Sequence, residues 1–247
     1  MSVVDLKEID SGVLLITLQD RENKNTFSME LMRGLVDAFA HIDANPGYRV
    51  AILTGYDTYF ASGGTKQGLH DIQQGKSKFS DINLYSLALD CKIPVISAMQ
   101  GHGIGGGFVF GMFADFVILS RESIYTTNFM KYGFTPGMGA TYIIARKFGL
   151  SLGHEMLMSA RSYRGDDLAR RGVSFPVLPR AEVLTYAREL AVDLADKPRT
   201  SLVMLKDHLV GQMRRELPAV IEQELAMHEV TFSQPEVRER IDRLFGN

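Results

Sequence analysis

Apolar residues along the chain follow two patterns, one in each half. In the first half, short apolar runs alternate with polar turns. Val13-Leu14-Leu15-Ile16-Thr17-Leu18 has the β-branched and apolar content of a strand, and Val3 to Ile9 precedes it across a Ser11-Gly12 turn. Arg49-Val50-Ala51-Ile52-Leu53-Thr54, Ile93-Pro94-Val95-Ile96-Ser97-Ala98 and Asp115 to Leu119 read as further short buried strands. Between them, Leu31, Leu35, Phe39 and Ile42 recur at helical spacing after Ser28, a residue suited to an N-cap. A helix between Asp81 and Cys91 is expected to separate two of the strands. Alternation of strand and helix predicts an α/β layer arrangement.

After about Gly137 the period changes to helical. Met138–Phe148, Leu150–Met158, Asp166–Arg170, Ala181–Ala195, Ser201–Arg215 and Leu217–Phe232 are predicted helices, interrupted by a short strand around Ser174–Leu178. Pro198, Pro218 and Pro235 each suit a first helical turn, where a missing N–H costs little. This helical third is expected to pack on the α/β part or on a neighbouring subunit.

A length of 247 residues suits one domain, or one domain with a small appendage. Lys and Arg total 27 against 29 Asp and Glu, so no basic excess argues for nucleic acid or an anionic membrane. The single cysteine, Cys91, rules out an internal disulfide framework and a multi-cysteine zinc site. No histidine spacing suggests a metal site, since His70, His102 and His154 are isolated. Asp5, Lys7 and Glu8 interrupt any apolar leader, and the longest uncharged stretch, Ile93 to Ala114, is broken by Pro94 and six glycines. These features predict a soluble, cytoplasmic protein without a zinc site.

Two glycine clusters carry the clearest chemical signal. Phe60-Ala61-Ser62-Gly63-Gly64-Thr65 follows one predicted strand, and Gly101-His102-Gly103-Ile104-Gly105-Gly106-Gly107 follows another and opens a helix. Glycine lets a ligand approach the backbone, and helix-start N–H groups stabilise negative charge. Two such donors converging on a carbonyl would make an oxyanion hole. On spacing alone, tight turns and close packing are the commoner reason for such glycines. A dinucleotide site is disfavoured, because Asp115 comes too soon to serve as its ribose-binding acid.

The ordered segments Asn23-Lys24-Asn25, AILTGYDTYFASGGT, KIPVISAMQGHGIGGGFVFGMFADFVILS and YGFTPGMGAT resemble the crotonase, or enoyl-CoA hydratase/isomerase, superfamily over essentially the whole chain. The resemblance implies a spiral of ββα turns over residues 1–190 and a helical trimerisation region over 191–247. It implies a homotrimer or a dimer of trimers, and an oxyanion hole from the N–H groups of Gly64 and Gly106. The two carboxylates of the family's hydratases are absent. Val109 stands three residues after the second oxyanion glycine, and Phe129 seven residues before Pro136. Thr65 replaces the Asp common after the first oxyanion residue.

A narrower resemblance accounts for these losses. DCKIPVISAMQGHGIGGG, TNFMKYGFTPGMGAT, SYRGDDLARRGVSFPVLPR and ELAMHEVTF look like the decarboxylating hydratase homologue of polyketide β-branching cassettes. It implies a carbon–carbon lyase that removes CO2 from a 3-methylglutaconyl thioester on an acyl carrier protein. The catalytic residues would be Lys78 and His228, with Lys76 as a substitute for Lys78. The substrate would ride on a carrier's phosphopantetheine or on CoA, with no other cofactor. Two rival readings are a hydratase or isomerase acting on acyl-CoA and a non-catalytic carrier-binding homologue. His102 and Cys91 are expected to be packing residues, and Asn128 and Tyr132 to line the pocket or the core. Lys197, Arg199, Lys206, Arg214 and Arg215 form a basic stretch, which reads first as a solvated helix face and second as a carrier-facing surface.

Overall fold

A computed structural model describes residues 2–245. Residues 246–247 of the expected C-terminal region lie outside the described residues. Twelve strands and nine α-helices are present among them. The strands are β1 Val4–Asp10, β2 Val13–Leu18, β3 Thr26–Phe27, β4 Val50–Thr54, β5 Tyr59–Ala61, β6 Gly63–Gly64, β7 Val95–Met99, β8 His102–Ile104, β9 Phe116–Ser120, β10 Ile124–Thr126, β11 Ser162–Arg164 and β12 Val177–Leu178. The helices are α1 Met29–Ala44, α2 Lys66–Gln73, α3 Leu87–Asp90, α4 Gly106–Met112, α5 Ala140–Ser159, α6 Gly165–Arg170, α7 Arg180–Ala195, α8 Arg199–Thr231 and α9 Pro235–Leu244, with a 3-10 turn at Asn128–Tyr132.

The order is a repeated unit of long strand, short strand and helix. Long strands build a six-stranded sheet, β1-β2-β4-β7-β9-β12, parallel except for the β1–β2 pair. The short strands β11-β10-β8-β5 form a second sheet, and β3 pairs with β6. Each glycine turn therefore lies between a short strand and the helix after it.

The period-2 geometry of strands divides the core in two. Val50, Ile52, Ile96, Ala98 and Ile118 face α7, where Val183, Ala187, Ala191 and Ala195 recur every fourth residue. Small side chains at that spacing let the helix sit close on the sheet. The intervening residues Ala51, Leu53, Val95 and Met99 face the larger core shared with α1 and α4. Helix α1 starts as the sequence predicts, with Ser28 Oγ accepting from the Leu31 N–H at 3.2 Å.

Three expectations need correction. The helix between Asp81 and Cys91 shrinks to one turn, Leu87–Asp90. There Ser86 Oγ bonds Asn83 Oδ1 at 2.8 Å and also Asp90, so side chains compete with the backbone ladder. Second, Ser201–Arg215 and Leu217–Phe232 are one helix, α8, with Pro218 in its interior rather than in a first turn. Buried anchors on both sides of the proline, Leu202, Lys206, Leu217, Ile221, Glu224 and His228, hold the helix across the missing hydrogen bond. Third, Pro198 stands just before α8, at its N-cap. The break at Gly149, by contrast, lies between the two helices predicted there, and its φ of 74° is what divides α5.

Candidate active site

The two glycine turns meet. Gly63 has φ 74°, and a methyl group on it would stand 2.9 Å from the Ile104 carbonyl oxygen and 3.0 Å from the Gly106 nitrogen. A methyl group on Gly107 would stand 2.4 Å from the Ala61 carbonyl oxygen. Bare backbone is therefore required on both sides of the contact. Gly105, at φ 53° and ψ −125°, turns the chain into α4, and its N–H donates to the Thr126 carbonyl at 2.8 Å. The first helical bond runs from the Val109 N–H to the Gly105 carbonyl, so the N–H groups of Gly106, Gly107 and Phe108 have no acceptor within the helix.

Asn25 braces the first turn. It is fully buried at φ 52°, and its amide donates to the carbonyls of Leu18 at 3.0 Å and Phe60 at 2.8 Å. Its Oδ1 accepts from the Asp20 N–H at 2.8 Å. The sequence marks Asn25 only as part of a polar turn; Leu18 and Asp20 are near it along the chain, but Phe60 is 35 residues away. Thr65, where relatives often have Asp, caps α2 by accepting from the Gly68 N–H at 3.0 Å.

Gly64 and Gly106 both line a cavity of about 1080 Å³. Phe27, Leu69, Ile72, Phe129, Phe134 and Met138 supply much of its apolar wall. Phe129 thus presents an aromatic ring where the hydratase pattern has a carboxylate, and Val109 is buried within α4. The acids that reach the cavity are Glu22, Asp71 and Asp81, from neither of those two positions. Asn128 and Tyr132 line it as well, and Asn128 Oδ1 lies where a side chain on Gly105 would fall.

Lys78 lines the same cavity. Its peptide N–H donates to Asp81 Oδ2 at 2.7 Å, and its exposed ammonium makes no ion pair with the described residues. Lys76 is exposed and does not line the cavity.

His228 is 6% exposed and lies behind the cavity wall. Nε2 is 2.9 Å from the Thr135 carbonyl oxygen and 3.2 Å from that of Pro136. Carbonyls only accept, so Nε2 carries the proton and Nδ1 holds a bare lone pair. Nδ1 is buried and has no hydrogen-bond partner. Burial pushes the His228 pKa below its ordinary value, against the two carbonyls that hold it up. In the neutral ring Nδ1 is a base, and it can donate a proton only after taking one up. Gly137 makes room for it, since a methyl group there would lie 2.4 Å from His228 Cε1.

One helical turn earlier, Glu224 is buried and caps α5. Its carboxylate accepts from the Gly139 N–H at 2.7 Å, the Thr141 N–H at 2.9 Å and the Thr141 hydroxyl at 2.6 Å. Burial pushes its pKa up against these three donors. The i, i+4 spacing of Glu224 and His228 was visible in the sequence; the helix end that Glu224 caps was not.

The basic stretch is divided: Lys197 and Arg215 are exposed, as on a solvated face, whereas Lys206, Arg199 and Arg214 turn inward. Lys206 is 4% exposed; its ammonium pairs with Asp115 at 2.7 Å and donates to the carbonyls of Ala88 and Ile93. Arg199 donates to the Tyr48 carbonyl, and Arg214 to Asp207 and the Leu89 carbonyl. These cations tie α8 to the α/β core. His102 accepts from the Ile124 N–H at 2.9 Å and packs edge-on to Tyr59, as a packing residue would. Cys91 is buried, and burial pushes its thiol pKa up. Among the described residues, no helix is long and apolar enough to cross a membrane.

Comparison with known proteins agrees with this geometry. The family model described as Enoyl-CoA hydratase/isomerase matches residues 8–245. The bacillaene synthase decarboxylase PksI of Bacillus subtilis (strain 168) is 66% identical over 246 residues, covering 100% of this chain and 99% of that protein. A solved structure from a dehydratase/decarboxylase enzyme couple involved in polyketide β-branching is 66% identical, superposes with a TM-score of 0.99 and matches over the full length of both chains. The ECH2 decarboxylase domain of CurF from Lyngbya majuscula is 45% identical with a TM-score of 0.95, covering 99% of this chain and 100% of that one. The chain belongs to the enoyl-CoA hydratase/isomerase family and, within it, to the decarboxylases of polyketide β-branching.

Proposed function

We propose that this decarboxylase acts on a 3-methylglutaconyl thioester carried on the phosphopantetheine of an acyl carrier protein. The observation that carries the reading is one cavity that joins both glycine turns to Lys78 while Val109 and Phe129 remove both hydratase carboxylates. Without those acids the pair that activates and delivers water in the family's hydratases is missing.

The reaction needs an electron sink, a held carboxylate and a proton. The bond between C4 and the terminal carboxylate breaks, and CO2 leaves. Its electron pair flows through the C2–C3 double bond to the thioester oxygen, giving a dienolate. The Gly64 and Gly106 N–H groups stabilise that developing charge. Lys78 orients the departing carboxylate without an ion pair to the described residues to compete for it. A binding cation must not hold that group too tightly, because its charge disperses in the transition state. Apolar walls around the carboxylate raise its energy relative to water. Protonation of the dienolate at C4 completes a 3-methylcrotonyl thioester. His228 serves this step as imidazolium, protonated at Nδ1. No metal or other cofactor takes part in this scheme.

We also propose a homotrimer or a dimer of trimers. Exposed Met204, Leu205 and Leu209 form an apolar patch on α8 that supports burial against another copy.

The test is to incubate the protein with 3-methylglutaconyl carrier protein and weigh the intact acyl carrier. Loss of one CO2 is expected. Gain of one water would instead assign hydration. Lys78→Ala and His228→Ala are each expected to keep the fold and lose at least about 10²-fold in turnover. Full activity in both purified variants would refute these catalytic roles.

A further inference from the structure

His228 Nδ1 poses a structural problem. A buried nitrogen with no partner is costly, and the ring that carries it lines a narrow recess. The recess is bounded by Phe79, Tyr85, Met138, Glu224 and His228. Phe79 and Met138 also line the main cavity. These two side chains are the partition between the proposed proton donor and the space that holds Lys78 and the oxyanion turns.

The two halves of the partition are not equally fixed. Met138 has φ 63° and sits between Gly137, which abuts His228, and Gly139, whose N–H is held by Glu224. Its thioether lies against Gly106, where a methyl group would approach the sulfur to 2.6 Å. Phe79 belongs instead to the irregular segment between α2 and α3, and is held mainly by ring contacts. Its ring centroid is 5.1 Å from His228, 6.0 Å from Phe232 and 6.2 Å from Phe134. It is also the residue after Lys78, so movement of one peptide carries both side chains.

We propose that Phe79 is a positioning residue whose ring the bound acyl group displaces, joining the His228 recess to the main cavity. The proposal rests on the roles given above to Lys78 and His228. Before binding, the ring separates His228 from the main cavity. On displacement, Nδ1 takes up a proton from the water admitted to the recess and gains access to the reacting carbons as Lys78 engages the carboxylate. Acyl binding thus assembles the two groups in one movement, and part of its binding free energy is consumed in doing so.

The chain contains no tryptophan, so Phe79→Trp gives a sole reporter. The ligand is a carrier-borne 3-methylglutaryl thioester, which lacks the C2–C3 double bond and cannot decarboxylate. Its binding, verified by calorimetry, is expected to shift Trp emission and raise acrylamide quenching. Unchanged emission with bound ligand would overturn the proposal. Independently, Phe79→Ala is expected to speed modification of His228 by diethyl pyrocarbonate about tenfold, since labelling tracks the open population. His41 and His154 serve as internal references. Phe79→Leu, with an unchanged circular dichroism spectrum, is expected to fall between; no rise in either variant also overturns it. Turnover of His228→Asn separates the two readings. Full activity there would remove the catalytic role of His228, while the fluorescence and labelling results would still judge the partition.

Discussion

Neighbouring glycines of the first turn should respond very differently to the same substitution. Gly63→Ala adds a methyl group 2.9 Å from the Ile104 carbonyl oxygen and 3.0 Å from the Gly106 nitrogen. Both neighbours are backbone, so relief requires the two turns to separate by a few tenths of an ångström. The substitution also places alanine at φ 74°, which costs about 1–2 kcal/mol of stability. Gly64→Ala adds a methyl group whose nearest atom, Leu69 Cδ2, is 3.6 Å away, an ordinary contact. Losing one oxyanion donor costs about 10²–10³ in kcat, and small misplacements can approach that loss. Gly63→Ala is therefore expected to lower kcat about 100-fold with little change in KM, because the donors act chiefly in the transition state. Gly64→Ala should stay within about threefold of the parent, since the N–H and its surroundings are kept. Single-turnover mass spectrometry of the acyl carrier measures kcat, and circular dichroism melts check folding. Equal impairment of both variants, or full kcat in a folded Gly63→Ala protein, would refute the reasoning.

Three further outcomes test other parts of the structure. Lys206→Met leaves Asp115 and two carbonyls without their buried cation and should cost about 3–5 kcal/mol in urea unfolding at fixed protein concentration; a loss under about 1 kcal/mol would return Lys206 to a solvated role. Asn25→Ala strands the Leu18 and Phe60 carbonyls and the Asp20 N–H, so a loss of about 3 kcal/mol and a fall in kcat are expected together; an unchanged melting curve would count against the brace. His228 has a folded pKa below its unfolded value, so the unfolded chain binds more protons between the two. Its contribution is complete above the ordinary imidazole pKa, about 6.5, and is lost as pH falls through the folded value. Urea titrations of the parent and His228→Asn at several pH values should show the parent's relative stability declining towards acid. A pH-independent difference would refute the burial argument.

Much of the fold could be read from local pattern. The strand at Val13–Leu18, the helix capped by Ser28 and the helices on either side of Gly149 depend on periodicity and caps, which neighbouring residues decide. The glycine turns were equally visible, because positive φ and close backbone approach leave few other residues possible. The missing carboxylates at Val109 and Phe129 were legible too, once the family resemblance said where hydratases carry them. Tertiary packing decided the rest. It carried α8 through Pro218, because buried anchors on both sides outweigh one lost hydrogen bond. It turned Lys206 from a surface charge into a buried ion-pair partner, since Asp115 lies far away in sequence and close in space. It fixed the proton of His228 on Nε2 through the carbonyls of Thr135 and Pro136, and left Nδ1 buried without a partner. Residue type and spacing determine which chemistry is available; protonation, burial and access are set by partners that the chain brings together only on folding.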